Sequence, residues 1–115
     1  MNITFLCIVT QEFVVKPKSQ KILYHRNVTF DCESHGVPTP SVEWEFQNKN
    51  GVTQSINSDG NKYVITKKNS LIVKKLEYTD EGDYYCISES PRLKRNVTAN
   101  LNVYGRLTDV FVIFD

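Results

Sequence analysis

Cys32, Trp44 and Cys86 each stand in a stretch where apolar and polar residues alternate, and this shared period constrains the chain more than any other feature. Val28-Thr29-Phe30-Asp31-Cys32 puts Val28, Phe30 and Cys32 on one face of a strand. Val42-Glu43-Trp44-Glu45-Phe46 does the same for Val42, Trp44 and Phe46. In Tyr84-Tyr85-Cys86-Ile87-Ser88 the even positions fall on the face of the cysteine. Three strands of period two therefore aim one of these residues each at a common interior. Two sheets packed across a core beside an indole are predicted.

This Cys…Trp…Cys framework resembles the immunoglobulin family, with Tyr84 two positions before the second cysteine as its tyrosine corner. The approach Gly-Val-Pro-Thr-Pro-Ser-Val-Glu-Trp that ends at Trp44 is similar to the I-set branch. The resemblance covers residues 13–104. It implies an all-β fold, an immunoglobulin-like Greek-key β-sandwich of two antiparallel sheets, I-set type. It also implies a Cys32–Cys86 disulfide and a fold-defining set of Trp44, Leu71, Asp80, Gly82 and Tyr84. In such a corner the aspartate pairs with a basic residue, here Lys62 or Lys67.

Along the chain, residues 1–12 are expected to be an N-terminal extension or a partial signal peptide. Ile3-Thr4-Phe5-Leu6-Cys7-Ile8-Val9 has the apolar character of a leader, but no Lys or Arg precedes it. A first strand is expected over 13–17, broken by Pro17, with its second half over 20–24 on the opposite sheet. Two prolines and a glycine predict a loop over 35–40. Asn50-Gly51 favours a tight turn, and 52–61 has room for one short edge strand. Strands are expected over 63–66 and 70–73, with 67–69 as the turn between them. A loop over 90–95 would lead into a last strand over 97–103. Residues 105–115 read as a linker or the start of a following module. The uncharged run Val110-Phe111-Val112-Ile113-Phe114 could alternatively add to the sheet.

A chain of 115 residues, 40% of them hydrophobic, suits a single core. Its formal net charge of +1 gives no global field to recruit nucleic acid or an acidic membrane. A small-molecule substrate is not expected either. Membrane attachment would come through a segment of a parent protein outside this chain. The implied disulfide persists in oxidising compartments, so an extracellular location is favoured, secreted or at the cell surface. Cys7 is left over, either a thiol in a leader or frayed end or a partner for an intermolecular bridge. Asn2-Ile3-Thr4, Asn27-Val28-Thr29 and Asn96-Val97-Thr98 are glycosylation acceptor triplets. Odd offsets from inward residues turn Asn27 and Asn96 outward, where a glycan fits.

No catalytic constellation, metal site or cofactor motif is predicted. His25 and His35 fall in expected loops with no nucleophile or ligand spacing around them. Asp80, Glu81 and Asp83 read as a structural turn with a solvated face. Recognition remains. The outward set on one sheet should be Thr98, Asn100, Tyr85, Ile87, Glu43 and Glu45, with Tyr85 and Ile87 as a flat amphipathic spot. Arg92, Lys94 and Arg95 crowd a hairpin tip that could hold an acidic partner, including a sulfated glycan. The resemblance implies a non-catalytic adhesion, receptor-ectodomain or matrix module that binds proteins, homophilically or heterophilically. Two alternatives stay open: an intracellular muscle-type elastic module, and a heparin- or growth-factor-binding receptor domain that uses the basic tip.

Overall fold

The computed structural model describes residues 10–105. Asn2, Cys7 and the 110–114 run lie outside the described residues. Ten strands form among the described residues: β1 (Thr10–Val15), β2 (Gln20–Leu23), β3 (Val28–Phe30), β4 (Glu33–Val37), β5 (Ser41–Asn48), β6 (Thr53–Ile56), β7 (Tyr63–Ile65), β8 (Leu71–Val73), β9 (Gly82–Ser90) and β10 (Leu93–Tyr104). Among the described residues one 3-10 turn, Tyr78–Asp80, precedes β9.

One sheet runs β2-β10-β9-β5-β6; the opposing layer holds β3-β8-β7 and the pair β1-β4. The pairings are antiparallel except that β2 lies parallel to β10, with Leu101 opposite Gln20. The first strand changes layers as expected. Its opening half pairs with β4, the chain breaks around Pro17, and the second half joins β10.

The period-two faces meet in the middle. Val28, Phe30, Cys32, Leu71 and Val73 come from one layer; Trp44, Phe46, Tyr84, Cys86, Ala99, Leu101 and Val103 come from the other. Ring packing ties the layers together where Phe30 is centred 5.0 Å from Tyr84, and Tyr84 in turn stacks 4.6 Å from Phe46 of its own layer. Burying each of these large side chains contributes about 1.5–3 kcal/mol. Leu76, fully buried, closes the core just before the 3-10 turn.

Three boundaries differ from expectation. β1 begins at Thr10, three residues before 13, and pairs Thr10 with Val37. The segment expected as a loop from His35 is partly strand, since His35, Gly36 and Val37 belong to β4. Gly36 makes that pairing possible, because a Cβ there would come within 2.2 Å of the Thr10 carbonyl oxygen. The loop expected over 90–95 shrinks to a two-residue turn, Pro91-Arg92, so Leu93, Lys94 and Arg95 are strand residues.

Candidate recognition surface

Cys32 and Cys86 are bonded with their Cα atoms 6.5 Å apart, and Trp44 lies opposite Cys86 in the β5–β9 register. The indole Nε1–H donates to the Asn69 carbonyl at 2.9 Å. Asn69 holds φ 69°, a left-handed conformation that asparagine tolerates, which lets the 67–69 turn present that carbonyl. Tyr84 Oη donates to the Asp80 carbonyl at 2.7 Å. The Asp80 carboxylate accepts from Lys62 Nζ at 2.6 Å and from the Glu77 N–H at 2.8 Å. Lys62 is therefore the basic partner, while Lys67 stays exposed.

Burial pushes the Tyr84 hydroxyl far above the ordinary tyrosine range near 10, and the Asp80 charge pushes it the same way. An unfolded tyrosine ionises near pH 10, whereas folded Tyr84 keeps its proton. The unfolded state then binds fewer protons, so the stability present below pH 10 is lost as pH rises above it. Tyr84→Phe is expected to cost about 1–2 kcal/mol at neutral pH by orphaning a buried carbonyl. It should also flatten the alkaline decline, leaving the smaller share from half-buried Tyr63, which is raised by the same causes. Urea midpoints from pH 8 to 11 test both statements. An unchanged alkaline slope in the variant would rule out Tyr84 as its source.

The acidic cluster does not converge. Asp80 turns to Lys62, and Asp83 accepts from Asn100 Nδ2 at 3.1 Å. Glu81, expected on a solvated face, is buried, with Oε2 accepting from the Val103 N–H at 2.8 Å and Oε1 paired with Lys49. Among the described residues no group of three His, Cys, Asp or Glu side chains could hold a metal ion. His25 is exposed and stacks on Tyr24, and exposed His35 pairs with Glu33 at 2.7 Å.

The outer face of the five-stranded sheet is less open than parity suggested. Thr98, Asn100 and Glu43 are exposed and Glu45 is half-buried. Tyr85 is half-buried, with its hydroxyl donating to Gln47 Oε1 at 3.1 Å. Ile87 is only 6% exposed, flanked in register by Glu43 and Asn96, so it offers no apolar docking spot. Asn96 and Asn27 are both exposed; Asn27 Oδ1 already accepts from the Lys75 N–H at 2.9 Å.

The basic tip also divides. Arg95 shares the inward parity of Val97, and its Nη1 donates to the Gln11 carbonyl at 2.6 Å. Lys94 lies opposite Glu89 on the other face of β10. Arg92 alone stands at the turn, so the three cations do not form one patch. Nearby, Thr39, Ser41, Glu89, Ser90 and Pro91 line one shallow recess, which brings the 38–40 loop beside the turn. Val37 and Leu93, 68% and 37% exposed, flank this end of the sandwich.

A family model described as immunoglobulin domain matches residues 2–90. The chain belongs to the immunoglobulin family. This immunoglobulin domain is 30% identical over 82 residues to human neural cell adhesion molecule 1, covering 70% of the chain and 9% of that protein. It is 30% identical over 111 residues to the human cell adhesion molecule DSCAM, covering 87% of the chain and 6% of that protein. Among solved structures it superposes on Titin-A168169 with a TM-score of 0.72 at 27% identity, covering 81% of this chain and 47% of that one. The chain thus spans under a tenth of the two adhesion molecules.

Two residues that hold this immunoglobulin domain together escaped the sequence reading. Gln11, 4% exposed, donates from Nε2 to the carbonyl and hydroxyl of Ser88 and to the Leu93 carbonyl, lashing β1 to the β9–β10 hairpin. Its parity with Phe13 was the available signal. Glu81 had none, because its partner is a main-chain N–H at the far end of β10.

Proposed function

We propose that this domain is a non-catalytic recognition module of a cell-adhesion or receptor ectodomain. It binds a protein partner through the end of the sandwich where the Pro91-Arg92 turn meets the 38–40 loop. The observation that carries this reading is the exposure of Val37, which ends β4 at the 38–40 loop, and of Leu93, which follows Arg92 out of the turn. Loops on the rim of a rigid scaffold carry binding, arginine is a favoured hot spot there, and exposed apolar side chains near it add anchor area. The outer sheet face lacks such an anchor, since Ile87 is covered and Tyr85 is tied to Gln47. The likeness to cell adhesion molecules and the Cys32–Cys86 bridge make this an extracellular domain. That bridge also weighs against the intracellular elastic reading, which the titin likeness would otherwise favour. A sulfated-glycan reading is weakened because Arg95 and Lys94 face opposite ways.

Beads coated with the chain report homophilic binding by clumping and heterophilic binding by capture on cultured cells. The double change Val37→Asp and Leu93→Asp is expected to cost about 2 kcal/mol or more in either assay, on the order of a 30-fold loss. Glu45→Ala should be neutral. Binding that survives the double change but disappears with Glu45→Ala would move the site to the sheet face.

A further inference from the structure

β10 is twelve residues long, yet β2 pairs only with its last four, from Leu101 to Tyr104. Above that point the Asn100 N–H turns outward and donates to Ser19 Oγ at 2.9 Å. Main-chain groups alternate along an antiparallel pair, so those of Lys94, Asn96 and Thr98 face the same open edge. A groove of about 500 Å³, lined by Phe13, Lys16, Arg95 and Asn96, separates this edge from β1, which pairs with β4 instead.

An open edge is a template for strand addition, and folds protect such edges with charge or cover. The hairpin end of this edge carries Arg92, Lys94 and Arg95, and Ser19 with β2 closes the far end. The middle, Asn96-Val97-Thr98, carries no charge of its own and pairs with no strand on that side. It is also an acceptor triplet, with Asn96 and Thr98 both exposed on the same face of the strand. We propose that Asn96 carries an N-linked glycan and that this glycan guards the open middle of β10 against pairing with a second copy of the chain. A sugar rooted there lies across the path of any incoming strand. It also overlies Ile87, the register neighbour of Asn96, which agrees with a sheet face that takes no partner. Asn27, by contrast, precedes β3, an edge strand of only three residues, and its own Oδ1 already accepts from the Lys75 N–H.

The proposal rests on the extracellular setting but not on the binding end, so the test reads association and glycan alone. The full chain, passed through the secretory pathway of cultured cells, should yield an Asn96 peptide that enzymatic glycan release converts to Asp. Trimming the folded, monomeric protein should then produce a concentration-dependent dimer in sedimentation. Thr98→Ala should reproduce that dimer, and Asn27→Gln should stay monomeric. Thr98→Pro removes both the acceptor triplet and an outward N–H, so it should stay monomeric without a glycan. An unmodified Asn96, a trimmed protein that remains monomeric, or dimers from Asn27→Gln alone would each overturn the proposal. Dimers from Thr98→Pro equal to those from Thr98→Ala would do the same.

Discussion

Replacing Cys32 and Cys86 together by alanine is expected to leave the domain mostly unfolded at body temperature. The bridge closes a loop of 54 positions, and constraining the unfolded chain over that length is worth about 4 kcal/mol. Small domains hold roughly 5–15 kcal/mol in all, so about a quarter to four-fifths of the margin is removed, and loss of such a bridge often abolishes folding at about 37 °C. Cys32 and Cys86 sit at 2% and 0% exposure within the core that holds Trp44 and Phe30, so losing their sulfurs also opens a small void there. Urea unfolding of oxidised, reduced and alanine forms gives the number directly. Reduced protein within about 1 kcal/mol of the oxidised form would mean that packing alone holds the layers. It would also reopen the intracellular elastic reading, in which the thiols are free.

What could be read from the chain follows from what a period-two pattern encodes. Parity says which face a side chain points to, so Cys32, Trp44, Tyr84 and Cys86 could be placed inward with no coordinates. Parity does not say how well a face is covered. Ile87 points outward as expected and is still buried, because Glu43 and Asn96 stand beside it in register. The same parity, carried back from Val97, separates Lys94 from Arg95. Treating 90–95 as a loop hid that, and with it the collapse of the basic patch.

Breaker residues misled in the opposite direction. The loop expected over 35–40 does begin at Pro38, whereas Gly36 lies in β4 and lets β1 approach within a backbone's width. The composition of such a strand resembles that of a turn, and only the partner strand distinguishes them. Long-range ties to main-chain groups were equally silent. Glu81 to the Val103 N–H and Arg95 to the Gln11 carbonyl depend on which backbone groups the sheets leave unpaired.

Gly82→Ala is expected to be nearly as damaging as losing the bridge, although it adds a single methyl group. Gly82 opens β9 at φ 149°, a region that residues with a Cβ rarely enter. It sits opposite Asn48 on β5 and Leu101 on β10, with sheet on both sides. An added Cβ would come within 2.2 Å of the Gln47 carbonyl oxygen, 2.9 Å of Phe46 Cε1 and 3.1 Å of Asn48 Cα. Two of these three atoms are backbone, so no side-chain rotation relieves the clash. Backbone strain of about 1–3 kcal/mol adds to overpacking of about 1–3 kcal/mol, giving a cost on the order of 4 kcal/mol. Gly51→Ala separates the two contributions. Its φ is 84° and nothing lies within 4 Å of the new carbon, so only strain of about 1 kcal/mol is expected. Denaturation midpoints of the two variants should therefore differ severalfold in their shift from wild type. Equal shifts would show that the β5–β9 approach at Gly82 is loose enough to admit a side chain, and that the corner does not depend on glycine there.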